Sequence, residues 1–236
     1  MTRQLPLELE LDVAATFGSF VCESSDAALA ALRQLSTGAA AGPVWIYGPG
    51  GSGKSHLLQA TCRAMSERGG RAMYVPLAKA QQLAPEILGG CEAMDLLAID
   101  DVDAIAGQPH WEAAVFAAVN EFLLNAAPLV LAARAAPRDV DFRLADLRSR
   151  AGAHAVYRIA ALGDESLENL IRQRAQARGM SFDASAARYL LNRVPRDVRV
   201  IERWLERLDR ASLAAQRRVT SALVRAVLAA DRDESD

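Results

Sequence analysis

Between residues 44 and 58 the chain reads Val44, Trp45, Ile46, Tyr47, then Gly48, Pro49, Gly50, Gly51, Ser52, Gly53, Lys54, Ser55, then His56, Leu57, Leu58. A short apolar run suited to a buried strand passes through a glycine-rich turn into the start of a helix. The turn fits G-x-x-x-x-G-K-[ST], the phosphate-binding loop. Glycines let the backbone curl until successive N–H groups point inward at phosphate oxygens. The helix behind the loop offers the same anion its unpaired N–H groups and the positive end of its dipole. Lys54 can reach the outer phosphates, and the Ser55 hydroxyl can ligate magnesium. A glycine turn that merely joins strand to helix is outweighed, because strand, loop and helix come in the required order.

Composition sharpens this reading. The chain has 27 basic residues, of which only Lys54 and Lys79 are lysine and the other 25 arginine. A compact ammonium suits a phosphate cradle that a wide guanidinium fork would crowd. With 236 residues and 51% hydrophobic content, the chain can bury one large domain, or one domain and a smaller companion. A net charge of −2 argues against a strongly basic nucleic-acid binder, though not against a local patch. Cys22, Cys62 and Cys91 lack C-x-x-C spacing and are odd in number, so they read as reduced, buried thiols. No apolar run approaches the ~20 residues of a membrane span. Glu8, Glu10 and Asp12 break any secretory layout at the N-terminus. The expectation is a soluble, cytoplasmic chain.

Residues 1–15 hold alternating leucines interrupted by Pro6, read as an extended, mobile tail rather than a strand. Residues 16–162 carry the alternating pattern of an α/β domain. A helix is expected at Asp26–Leu35, with Ala27, Leu32 and Leu35 apolar and a cap from Ser24, Ser25 and Asp26. Leu58, Cys62 and Met65 line one face of the helix behind the loop, which ends at Gly69 and Gly70. Strands are read at Ala72–Val75, Leu96–Ile99, Leu129–Ala133 and Val156–Ile159, with a short helix start at Pro85–Leu88. A longer helix at His110–Asn125 places Phe116, Val119 and Leu123 on one stripe. Such alternation predicts a parallel sheet covered by helices on both faces. Residues 163–230 show only helical patterns, four in number, and form a small all-α domain. Over residues 164–230 there are 13 arginines against 8 acids. Residues 231–236 read as a polar, frayed end.

Leu96–Ile99 ends in Asp100 and Asp101, about 45 residues beyond the loop. In a triphosphate site Asp100 would hold magnesium through water and Asp101 would polarise the attacking water. Two arginines are further candidates: Arg150, between the last two strands, and Arg199, opening the third helix of the small domain. An arginine at a domain or subunit boundary can neutralise charge on a transferring γ-phosphate, worth about 10³–10⁵ in rate where it operates. The residue pattern alone does not single these two out among 25.

Taken together these motifs resemble the AAA+ ATPases, and within them the DnaA-related group that holds the initiator DnaA and its Hda-type regulators. The resemblance runs from about Thr16 to Leu228. It rests on Thr16 to Val21, Gly53 to Leu58, Leu97 to Asp101 and Phe116 to Asn120. It implies an AAA+ fold with a helical lid, bound ATP or ADP, and Mg2+. Gly48, Pro49, Gly50, Gly51, Ser52, Gly53, Lys54, Ser55 and His56 would hold the nucleotide with Arg199 as the sensor 2 arginine, and Ser55 and Asp100 the metal. Arg150 would be an arginine finger acting on a neighbouring subunit's nucleotide. Gln4, Leu5, Leu7 and Leu9 are similar to the clamp-binding peptide of the Hda-type regulators. Tyr74 to Leu77 and Leu208 to Ser212 are similar to them too. The implied function is docking on the DNA polymerase III sliding clamp and stimulation of ATP hydrolysis by DnaA, which inactivates it. A homo-oligomer, and contact with DNA mostly through the clamp, complete the expectation.

There are departures. Glu8 stands where the clamp peptide often has proline or an aromatic, implying modest clamp affinity. Ala132, Ala133 and Arg134 occupy a region where the family offers a polar or acidic side chain to orient water, implying feeble intrinsic hydrolysis. The sequence stops at Asp236, so the helix-turn-helix domain that follows the lid in DnaA is expected to be missing. Two other readings stand beside this one. A DNA-acting ATPase, such as a truncated initiator or helicase loader, would bind DNA in a salt-sensitive way. A small-molecule kinase would transfer phosphate to a metabolite and ignore removal of the first ten residues.

Overall fold

The computed structural model describes residues 15–21, 25–39, 42–215 and 218–233, without the side chains of Ala184, Arg199 and Arg232. Contacts divide the chain into two compact units, Met1–Ala160 and Ala161–Asp236.

In the first unit, strands β1 (Pro43–Tyr47), β2 (Ala72–Pro76), β3 (Leu96–Asp100), β4 (Leu129–Ala133) and β5 (Ala155–Arg158) make one sheet ordered β2-β3-β4-β1-β5. Every pairing is parallel. All five residues of β3 and of β4 are buried, so these strands are apolar without alternation, as central strands covered on both faces must be.

Side chains of alternating parity enter two different cores. Trp45, Leu97, Ile99, Leu129 and Leu131 pack with Trp111, Val115, Val119 and Phe122 of α3 (Pro109–Leu124) and with Leu147 and Ala151 of α4 (Ala145–Ala151). On the opposite face Val44, Ile46, Leu96, Ala98, Val130 and Ala132 meet α1 (Asp26–Thr37) and α2 (Lys54–Glu67) through Leu32, Leu35, Leu57, Leu58 and Cys62. The helix after β1 and the helix after β4 therefore cover opposite faces of neighbouring strands. In an open α/β sheet the crevice at the carboxyl ends of such a strand pair receives the ligand.

Several elements differ in detail from the sequence pattern. In α1 the buried positions are Ala28, Leu32 and Leu35, with Ala27 exposed, because i, i+4, i+7 is the face that meets the sheet. Ser25 makes no side-chain capping bond. The buried stripe of α3 centres on Val115, Val119 and Phe122, leaving Phe116 and Leu123 half-buried at its margins. The last strand starts one residue early, at Ala155, since its register is set by pairing with β1, Val44 opposite Ala155. Between β2 and β3 the chain makes three 3₁₀ segments, at Leu77–Gln82, Pro85–Leu88 and Cys91–Ala93.

The second unit holds α5 (Asp164–Ala177), α6 (Ala184–Leu191), α7 (Val198–Ala215) and α8 (Ser221–Asp233). Leu167, Leu170, Ile171, Leu190, Leu191, Ile201, Leu205, Leu208 and Val224 are among its buried side chains. Asp183 caps α6 by accepting from the Ser185 N–H, and the Thr220 hydroxyl accepts from Leu223 at the start of α8. That last helix continues to Asp233, past the expected close at residue 230, and Arg207 pairs with Asp231 on it. Among the described residues no helix is long and apolar enough to cross a membrane.

Candidate functional site

At the carboxyl ends of β1, β3 and β4 the chain gathers its polar residues. Gly48 leaves β1 with its N–H donated to the Ala133 carbonyl, 3.2 Å away, so the loop begins against the end of β4. A Cβ on Gly48 would lie 2.1 Å from the Ile159 carbonyl oxygen, a distance no side chain tolerates. Gly51 and Gly53 hold φ of 76° and 91°, the left-handed conformation that glycine adopts at little cost. Gly53 is the residue before α2, and a Cβ there would meet Phe20 at 2.5 Å. Sequence and geometry agree on why these positions are glycine.

Lys54 is buried, and its Nζ donates to the carbonyls of Gly48 at 2.8 Å and Pro49 at 3.0 Å. Burial pulls its pKa below the ordinary value. Asp101, Asp100 and Asp103 oppose that fall, and Arg134 adds to it. The Ser52 hydroxyl is buried in the loop with no partner among the described residues. A loop with left-handed glycines, an orphaned hydroxyl and a desolvated ammonium fits a phosphate chain, which would satisfy the hydroxyl and compete for the lysine.

Asp100 closes β3, almost fully buried. Its Oδ2 accepts from the Tyr74 hydroxyl at 2.8 Å and its Oδ1 from the Asp101 N–H at 3.0 Å. Each oxygen keeps a lone pair for a water. Burial first, and the Asp100 charge second, push the Tyr74 hydroxyl well above its ordinary range, so it stays a donor. Asp101 takes φ 51°, left-handed for a non-glycine residue, which turns its carboxyl out of the strand direction. Burial and then Asp100 raise its pKa, against Lys54 and Arg134. No group of three or more His, Cys, Asp or Glu among the described residues could hold a metal. A magnesium ion held by Ser55 and, through water, Asp100 would therefore complete its shell from phosphate oxygens.

His56, placed beside the nucleotide by the resemblance, turns its Nε2 to the Thr16 carbonyl at 2.8 Å and its ring toward Phe20, centroids 5.8 Å apart. It fastens the segment before α1 to the loop. Arg150 lies in the last turn of α4, exposed, with no hydrogen bond or ion pair from its guanidinium among the described residues. Arg199 stands in the first turn of α7 with its side chain outside the description, and Gln4, Leu5, Leu7 and Leu9 lie outside the described residues.

The pattern missed several residues. Tyr74 holds Asp100. Asp103 accepts from the Arg134 N–H at 3.2 Å and joins the ends of β3 and β4. Glu112, fully buried, accepts from Gly107, Arg143 and Leu144. Only the last had a sequence signal: a carboxylate inside an otherwise apolar helix face.

The family model described as the bacterial DnaA ATPase domain matches residues 11–156, and that of the Hda lid domain matches residues 164–228. Domain III of DnaA from Thermotoga maritima superposes with a TM-score of 0.75 at 21% identity, over 93% of this chain and 97% of that one. AMPPCP-bound DnaA from Aquifex aeolicus gives 0.74 at 22%, over 94% and 71%. A crystal structure of a DNA replication initiation factor gives 0.72 at 24%, over 83% of this chain and 64% of that one, less than two thirds of its length. At these identities the superpositions speak for the fold.

Proposed function

This chain belongs to the AAA+ family of the bacterial DnaA ATPase domain, and on that premise we propose that it is a replication regulator acting in trans on the initiator DnaA. It binds ATP or ADP with Mg2+ in the loop around Lys54, docks on the DNA sliding clamp through Gln4, Leu5, Leu7 and Leu9, and presents Arg150 to ATP held by DnaA. The observation that carries this reading is Arg150 itself. It is exposed in the last turn of α4 and unpaired among the described residues. A guanidinium so placed suits the charge that develops on another molecule's γ-phosphate.

The roles divide among the residues. Lys54, Ser52 and the loop N–H groups bind phosphate. Asp100, oriented by the Tyr74 hydroxyl, suits a water on the metal the nucleotide would bring. Arg199, at the start of α7, is proposed as a phosphate-sensing arginine. The leading peptide raises the local concentration of the body near DnaA on the same DNA. Arg134, beyond β4, adds positive charge where a water-orienting group would be needed, which accords with weak hydrolysis by the chain itself.

Hydrolysis of DnaA-bound ATP in the presence of DNA-loaded clamp tests the reading. The intact chain should accelerate it; Arg150→Ala should abolish the acceleration with nucleotide and clamp binding intact; removal of residues 1–10 should abolish clamp dependence. Full acceleration by Arg150→Ala would remove the finger. Direct action on DNA has one observation in its favour. Arg193 and Arg225 flank Tyr189 in the lid, 3.5 and 5.6 Å from its ring centre, and neither pairs with a described carboxylate. Salt-sensitive DNA binding with DNA-stimulated turnover would favour that reading.

A further inference from the structure

Glu112 sits in the first turn of α3, completely buried, in a position where the helix face otherwise carries Trp111, Val115 and Val119. Its Oε1 accepts from the Gly107 N–H at 2.6 Å and the Arg143 N–H at 3.1 Å; its Oε2 accepts from the Leu144 N–H at 2.7 Å. Burial alone would raise this carboxyl. The N–H groups of Leu144, Arg143 and Gly107 outweigh it and hold the pKa below the ordinary range. The group is thus an anion inside the protein, stabilised by three charge-assisted bonds to backbone.

Those bonds go to two different segments. Gly107 ends the stretch that leaves Asp101, passes through the 3₁₀ turn Val102–Ile105 and is tied to β4 by Asp103 and Arg134. Leu144 is the residue before α4 and supplies no side-chain cap, so Glu112 caps that helix from a neighbouring one. Leu147 and Ala151 seat α4 in the core, while its starting point and direction are set where Leu144 meets the carboxylate. A serine or aspartate at residue 144 would accept from the N–H of residue 146 or 147 and leave the Leu144 N–H still in need of a partner. The remote carboxylate does something a local cap cannot: it joins the segment behind Asp101 to the helix that carries Arg150.

We propose that Glu112 is the positioning residue of Arg150, holding α4 in register with the nucleotide-site segment 101–107. The proposal rests on the trans-acting role given to Arg150 above. It touches no nucleotide and no reacting atom; it acts through α4.

Two measurements test it. First, DnaA-bound ATP hydrolysis with DNA-loaded clamp is titrated with wild type, Glu112→Gln and Arg150→Ala. Glu112→Gln should lower the plateau rate tenfold or more, with the half-saturating concentration and the nucleotide affinity at Lys54 within twofold of wild type. A loss of folded protein would instead shift the half-saturating concentration and leave the plateau. An unchanged plateau for Glu112→Gln, with Arg150→Ala inactive, overturns the positioning role. A full plateau for Arg150→Ala overturns the trans-arginine reading, and the positioning role with it. Second, native-state hydrogen exchange on the wild-type chain needs no variant. The amides of Gly107, Arg143 and Leu144 should open together with one denaturant dependence. Independent opening of Gly107 from Leu144 overturns the link even if Glu112→Gln does not fold.

Discussion

His154, between α4 and β5, is buried with neither ring nitrogen bonded to a described residue, its ring 6.4 Å from that of Trp45. Burial lowers its pKa from 6.5 to about 4. In the folded chain it stays neutral while the unfolded chain takes up a proton near pH 6.5, so unfolding gains protons as the pH falls toward 4. Stability should therefore rise with pH between about 4 and 6.5 and level off above, the full effect being roughly 3 kcal/mol. His154→Phe should be more stable than wild type at pH 5 and show a flatter profile in urea denaturation across that window. Identical slopes would mean that the imidazole is not buried neutral. At this scale the sequence displays its catalytic-looking groups better than their supports. Lys54, Asp100 and Asp101 stand in sequence patterns that suit a phosphate site. Tyr74 and Glu112 sit in ordinary apolar surroundings, and their partners, like the burial of His154, come from strand register and helix placement, which no local spacing encodes.

Among elements, β3 and β5 are opposites. Leu97 is fully buried in β3, whereas Val156 in the edge strand β5 is 42% exposed. Leu97→Ala should cost about 2–5 kcal/mol, the transfer term plus the cavity left in a packed sheet. Val156→Ala, at a site with little packing to lose, should stay within about 0.5 kcal/mol. Equal losses in urea denaturation would contradict the covered-centre, open-edge arrangement. The same contrast explains which elements were legible. Leu96–Ile99 and Leu129–Ala133 are unbroken apolar runs and announce themselves. The segments at Leu77–Gln82 and Cys91–Ala93 are too short to develop any period. The stripe of α3 is wide and apolar almost all round, so its true centre at Val115 and Val119 depends on what it packs against.

For the whole molecule, the order β2-β3-β4-β1-β5 was not readable, because alternating strands and helices are compatible with several parallel arrangements. Its consequence is that Gly48, Asp101 and Arg134 arrive at one edge from three strands remote in sequence. If that edge binds nucleotide, the chain's melting temperature should rise with added ATP or ADP, equivalent to about 2.7 kcal/mol at a hundredfold excess over Kd. Lys54→Ala should erase the shift while melting normally without ligand. A shift that survives in Lys54→Ala would place the nucleotide elsewhere.

Phe20 rests against Gly53, and His56 grips the Thr16 carbonyl. The segment from Thr16 to Phe20 is thus moored directly to the glycine-rich loop. If the leading residues dock on a larger assembly as proposed, a load on them would reach the loop at residues 48–55. Pull on that attachment and occupancy of the loop would then be two ends of one mechanical connection.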